Sequence, residues 1–358
     1  MNKRILLTGL LFFISFQIFG QIKEDKSYMI IATHSNKALE IKPAADLNAN
    51  RLQLQQNDST EILPGKGLAQ HDFLYAGESG NRRVYIIKDG KVVWFYDDPS
   101  GKGEVSDAVM LSNGNVLIAH QFAINLISPE KKILWNYNAP DGTEIHTAMP
   151  IGTDNVLFVQ NGDPAMVKVV NITTGEIKKQ FQIPVANPKS THGQFRHARI
   201  TPAGTLLLSH MDMNKVCEYN SDGKEIWSFP ADVPWGANPL KNGNVLIVDR
   251  QGIREVNHRG ETVAQFSRND AGKYKLGSLQ LAWRLPNGNT LINNWENEWN
   301  GPIDKTKNSP IQAVELTPDK KVVWVLKSWK EPDLGPATTI QILDEPTAPE
   351  NVTFGDIK

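Results

Sequence analysis

The sequence predicts an all-β protein, a β-propeller of four-stranded antiparallel blades whose ring is closed by the C-terminal strand. Three observations carry this. An aromatic column recurs at Trp94, Trp135, Phe181, Trp227, Phe266 and Trp324, roughly 40 to 46 residues apart with one longer interval at the end. About 20 residues before these strands runs a second motif, a turn followed by an aliphatic strand: "LSNGNVLIAH", "GTDNVLFVQ", "PAGTLLLSH", "KNGNVLIVD" and "PNGNTLINN". Finally, "ATTIQILDE" (337–345) reads as an innermost strand with no hairpin partners after it. Units of four short strands at this period are the signature of propeller blades.

Taken in chain order, residues 1–20 carry Lys3 and Arg4 before the apolar run Ile5 to Phe19, and end at Gly20 and Gln21. That is the pattern of a secretory signal peptide, and the run is short for a membrane span. Export to the periplasm or beyond is the expectation, with no membrane span in the mature chain. Residues 21–62 form a β-rich extension. It has a faint likeness to one ricin-type lectin repeat without the usual tryptophan, and it leaves room for a degenerate seventh blade.

The propeller occupies residues 63–358, with six repeats counted. Each combines the motif above, a third strand such as "INLIS" or "VCEYN", and an aromatic strand such as "SDGKEIWSF". The Asn-Gly and Ala-Gly pairs supply positive φ for tight hairpins, and the β-branched runs after them suit buried strands. The first unit, "HDFLYAGESGNRRVYIIKDGKVVWFY", lacks an innermost strand of its own. The terminal strand would supply it and remove an exposed sheet edge.

The formal net charge of −1 gives no reason to expect nucleic-acid binding. The single cysteine, Cys217, excludes an internal disulfide and reads as a buried apolar residue. A monomer is expected.

In a propeller the start of strand one and the end of strand two converge on one face of the central channel. Aligned on the following turn, the starts read Asp107, His146, His197, Gly236 and Leu281. The next column is mostly small: Ala108, Thr147, Ala198, Ala237 and Ala282. The one after is Val109, Ala148, Arg199, Asn238 and Trp283. The ends of strand two read Gly77, His120, Gln160, His210, Asp249 and Asn294, flanked by Glu78, Gln121, Asn161, Arg250 and Trp295. Four of the eight histidines fall in these columns, and His71 and His192 lie nearby in sequence. Propeller rims are polar in any case, so a single such histidine is ordinarily a hydrogen-bonding residue.

The candidate catalytic residues are therefore His146, His197, His210, His120 and Arg199. The candidate substrate-binding residues are Arg250, Asp107, Gln160, Asn294, Trp295, Glu296, Trp299 and Trp235. Trp295, Glu296 and Trp299 belong to the long insertion "WENEWNGPIDKTKNSP", whose flat apolar faces and acceptors suit a sugar ring.

Histidine and arginine outweigh carboxylates in this set, which favours an anionic substrate over glycoside hydrolysis by paired acids. β-Elimination at a uronic acid has matching needs. Its C5 proton becomes acidic once the neighbouring carboxylate is neutralised, and histidine can serve as base or acid. No cofactor is required, though a divalent metal is left open because imidazole takes borderline cations.

The stretches "HDFLYAGESGNRRVYIIKDGKVVWFY", "NGNTLINNWENEWNGP" and "KKVVWVLKSWKEPDLGPATTIQILDEP" resemble secreted β-propeller proteins of bacterial polysaccharide-utilisation systems. These include rhamnosyl-glucuronate lyases, related rhamnosidases and a dehydratase acting on ulvan oligosaccharides. The resemblance covers most of the mature chain and implies a carbon–oxygen lyase, polysaccharide lyase or dehydratase, giving a 4,5-unsaturated uronyl end on oligosaccharides of the sulfated, ulvan type. No catalytic motif transfers residue by residue. A glycosidase, an arylsulfotransferase-like propeller with a histidine nucleophile, and a non-catalytic sugar- or protein-binding propeller remain the alternatives.

Overall fold

A computed structural model describes residues 62–78, 83–98, 102–296, 303 and 309–358, together with the short antiparallel pair Tyr28–Met29 and Lys42–Pro43. The chain divides into two compact units, Met1–Gln55 and Gln56–Lys358. The signal peptide, most of the extension and its lectin-like reading lie outside the described residues.

The second unit contains six four-stranded antiparallel sheets, the blades of a propeller. Their innermost strands are Ala337–Ile342, Val105–Met110, Glu144–Ile151, Phe195–Ile200, Gly236–Pro239 and Leu279–Arg284, and each contacts the next around the ring. We number the blades one to six in that order. In blade one, Ala337–Ile342 pairs with Phe73–Gly77, then Arg83–Lys88 and Lys91–Asp97. The terminal strand thus completes the first blade, as the sequence predicts.

The local chemistry explains the strands. Lys88 and Lys91 pair across Asp89–Gly90, whose φ values of 49° and 73° match the two-residue turn that follows strand twist. The "SNGN" turns work differently. Leu111 and Asn115 close a longer loop in which Gly114 alone has positive φ, 84°. Second strands are buried on both faces, whereas outermost strands such as Glu225–Pro230 alternate in exposure.

After closure, the C-terminal segment runs beneath blades two to four. Gly152 N–H donates to Glu350 O, Asn155 Nδ2 donates to Lys358 O, and Phe354 is fully buried among Ile151, Ile200 and Leu206. Among the described residues, no helix is long and apolar enough to cross a membrane.

Candidate functional site

A β-bulge sits near the start of the innermost strand in every blade but the fifth. Val105 pairs with His120 and Asp107 with Ala119. Ile145 pairs with Gln160 and Ala148 with Phe158. Phe195 pairs with His210 and Ala198 with Leu208, and blades six and one repeat the shift. A bulge re-aims side chains, and here it brings Ser106, His146 and Arg196 around one carboxylate, Glu104.

The bulge also fixes the true register. Ala108, Ala148, Ala198, Ala237 and Ala282 pair with Ile118, Phe158, Leu208, Ile247 and Ile292, so these alanines are equivalent. The sequence alignment placed blade three one residue early. His146 is the counterpart of Ser106 and Arg196, rather than of Asp107 and His197, and it belongs to a ring above theirs.

That upper ring is the candidate site. His146 is buried between two carboxylates: Nδ1 is 2.9 Å from Glu104 Oε1 and Nε2 is 2.8 Å from Glu144 Oε2. Glu144 Oε2 also meets Nδ1 of His192, at 2.8 Å. His192 stands on the short 3-10 turn Thr191–Gly193, in the connection between blades three and four. Arg196, the bulge residue of blade four, donates from Nη2 to His192 Nε2 at 2.9 Å and from Nη1 to the His192 carbonyl. A guanidinium only donates, so His192 Nε2 accepts and its proton sits on Nδ1, toward Glu144.

Aromatic walls flank this cluster. The Arg196 guanidinium lies 5.2 Å from the Trp235 ring centroid, and Trp235 and Trp295 are 5.6 Å apart. Trp295 Nε1 donates to Glu78 Oε2 at 2.8 Å.

The two half-buried acids are shifted in opposite directions. Desolvation, reinforced by the charge of Glu104, pushes Glu78 up to about 8. Burial would raise Glu104 as well, but its hydrogen bond to His146 and the Arg196 charge bring it down to about 2. Glu144, against the same burial cost, is held well below the carboxylate range by hydrogen bonds from His146 and His192. Burial lowers Arg196, and Glu104, Glu144 and Glu78 oppose that loss. At neutral pH the site therefore holds one protonated carboxyl, two carboxylates and a guanidinium.

One level down, a second ring closes the channel. Arg199 Nη1 and Nη2 reach the Asp107 carboxylate at 2.7 and 3.2 Å, and Thr147 and Thr339 donate to it at 3.0 and 2.9 Å. His197 Nδ1 stands 3.5 Å from Asp107, too far for a good hydrogen bond. Burial lowers its pKa despite Asp107. Arg199 also lies over Trp283, 5.3 Å from the ring centroid. His197, Arg199 and Asp107 thus form a buried plug beneath the site.

The strand-two column faces elsewhere. His120, Gln160, His210 and Asn294 pair with buried Val105, Ile145, Phe195 and Leu279, and directly paired residues share a sheet face. Their side chains consequently point into the packing of the blades. His120 Nε2 bonds Asn125 at 2.6 Å, and His210 Nε2 accepts from Tyr219 at 2.8 Å, with burial lowering His210 to about 3. Gln160 takes Tyr137 and Lys168, and Asn294 binds the backbone at Ile311 and Gly277. Asp249 pairs with Arg254, and Arg250 is exposed beside Asp232. Glu296 lies against Gly277. Trp299 lies outside the described residues.

Of the candidate set, the structure brings His146, Trp235 and Trp295 together. Glu104, Ser106, Glu144 and Arg196 were missed, and Glu78 and His192 were noted only as neighbours. Glu104, His146 and His192 also offer ligand atoms within 4.8 Å of one another, enough for a divalent cation. The Arg196 charge against His192 opposes one there.

No protein-family model matches this chain, and no curated protein matches it. A protein of unknown function from Bacteroides caccae is similar in structure, with a TM-score of 0.66 and 26% identity over 75% of this chain and 98% of that one. A catalytically inactive virginiamycin B lyase from Staphylococcus aureus, solved with quinupristin, has a TM-score of 0.51 and 15% identity over 75% of this chain and 90% of its own. A streptogramin B lyase follows at 0.50 and 13%, covering 78% and 88%. At these identities the two lyases share the fold. The likeness to ulvan-active propellers finds no counterpart among them and rests on the residues alone.

Proposed function

We propose that this protein is an exported carbon–oxygen lyase that performs β-elimination at a uronic acid of an oligosaccharide. The observation that carries the reading is the Arg196–His192 contact set beside a protonated Glu78. A substrate carboxylate would take the Arg196 guanidinium as a partner, a pairing that arginine's planar fork favours. That exchange frees the His192 Nε2 lone pair to remove the C5 proton, made acidic by the neutralised carboxylate. The C4–O bond breaks as C4=C5 forms, and Glu78 gives its proton to the departing oxygen. Glu144 orients His192 by accepting from Nδ1. Trp235, partly exposed, offers a face for a sugar ring, and buried Trp295 packs against it.

Hydrolysis by Glu78 and Glu104 as an acid and nucleophile pair is less well supported. Glu104 lies near enough to raise Glu78 by its charge, so the two act on each other's protonation and not as an independent acid and nucleophile about 5 Å apart.

The test is incubation with a panel of uronic-acid oligosaccharides, including sulfated rhamnose-uronate oligomers. The account expects ultraviolet absorbance from a conjugated unsaturated uronate, and mass spectrometry then separates loss of water from chain cleavage. Reducing ends released without that absorbance would overturn the proposal in favour of hydrolysis.

A further inference from the structure

A cavity lies on the opposite side of the plug, at the far end of the innermost strands. It encloses about 660 Å³, within the range of sites that bury a small molecule. Each blade contributes to its wall at the same depth: Val109, Met149, Arg199, Asn238, Trp283 and Gln341. The C-terminal segment from Asp344 to Pro349 forms its outer side. Rigid apolar groups dominate, among them Pro150, Pro239, Pro286, Pro346 and Pro349.

Two polar groups in this wall have no partner among the described residues. Asn238 is 2% exposed; its Nδ2 donates to Ala282 O at 2.6 Å and its Oδ1 is unpaired. Trp283 Nε1–H, a donor, is likewise buried and unpaired. Native interiors rarely leave such groups unsatisfied, because a buried polar atom without a partner has lost its water and gained nothing in return. Charged groups of the wall are paired within the protein: Arg199 with Asp107, Arg284 with Glu255 and Asp344 with His71.

We propose that this cavity is a second binding site, for a neutral small molecule with a flat apolar body and one hydroxyl or amide. The body fills the proline-lined funnel, and a small shift of the wall brings Asn238 Oδ1 and Trp283 Nε1, buried behind its surface, against the polar group. A net charge on the ligand would find no counter-ion at the floor. The site is distinct from the acid–base cluster, from which the Asp107–Arg199 plug separates it, and it does not depend on the proposed elimination.

The test uses 2-naphthol and the matched hydrocarbon 2-methylnaphthalene, titrated into the wild-type protein and followed by ligand fluorescence. Saturable binding of 2-naphthol is expected, about tenfold tighter than the hydrocarbon, as one buried hydrogen bond allows. Val109→Trp, which fills the funnel, is expected to abolish binding while the melting curve confirms the fold. Asn238→Leu should bring the two affinities together. No saturable binding of 2-naphthol to wild type, equal affinity for both compounds, or undiminished binding to a folded V109W would overturn the proposal.

Discussion

Arg196 donates through Nη2 to Nε2 of His192 across 2.9 Å, and so holds the lone pair of an imidazole in reserve. The guanidinium is buried while the imidazole side chain is 47% exposed. A buried cation is thus paired with an accessible base.

Arg196→Lys should therefore be costly. Lysine keeps the charge but cannot bridge His192 and a carboxylate in one plane. A loss of about 10²–10³ in kcat/KM is expected, the scale seen when one preorganised donor is removed. Steady-state kinetics with a folded variant check it.

His192→Ala should lose activity by at least as much while leaving stability nearly intact, because the ring is half exposed and sits on a short turn. Thermal denaturation beside the activity assay separates the two effects. A large fall in melting temperature would show that His192 is structural.

Glu78 sets the alkaline limit. Its folded pKa of about 8 exceeds the ordinary 4.5. The folded state therefore binds the extra proton, and this group's contribution to stability is fully present below pH 4.5 and falls as pH rises to about 8. Activity should fall above pH 8 as the acid is lost. Glu78→Gln, which cannot ionise, should be inactive yet more stable than wild type on the alkaline side, as denaturant titrations at several pH values would show.

His71 ties the ring closure together. Its Nδ1 meets Asp344 at 2.6 Å, just past the closing strand, and its Nε2 meets Glu315 of blade six at 2.9 Å. Burial works against its charge, but the two carboxylates outweigh burial and raise its pKa above 6.5. The stabilisation is complete below pH 6.5 and fades as pH passes the higher folded value. His71→Gln should flatten this slope in pH-dependent melting curves.

Asp107→Asn should destabilise the fold by about 3–5 kcal/mol, because it leaves Arg199 buried without its counter-charge. A fall in melting temperature on the order of 10 °C is expected by calorimetry.

The propeller was legible because its signals repeat. Trp94, Trp135 and Trp227 recur with their turns, and "ATTIQILDE" has no partner unless it reaches back to blade one. The site was less legible because its register turns on a bulge. Counting alternation from the turn put His146 level with His197, whereas the bulge puts it level with Arg196. A local signal existed in the recurring pattern "EVSDA", "EIHTA", "QFRHA" and "SLQLA", whose closing alanines align the blades. Read that way, Glu104 and Glu144 fall in one column, and Ser106, His146 and Arg196 in another. His120 and His210 misled for a different reason. They end their strands on the correct face of the ring, but their cross-strand partners Val105 and Phe195 show that they point into the blades.

The most direct measurement compares a uronic-acid oligosaccharide with its carboxyl-reduced, neutral counterpart, each incubated with the wild-type protein. If Arg196 neutralises a substrate carboxylate so that His192 can remove the C5 proton, unsaturated product forms from the uronate and none forms from the neutral sugar. Equal turnover of both, or unsaturated product formed at the wild-type rate by a folded Arg196→Lys variant, would contradict the account.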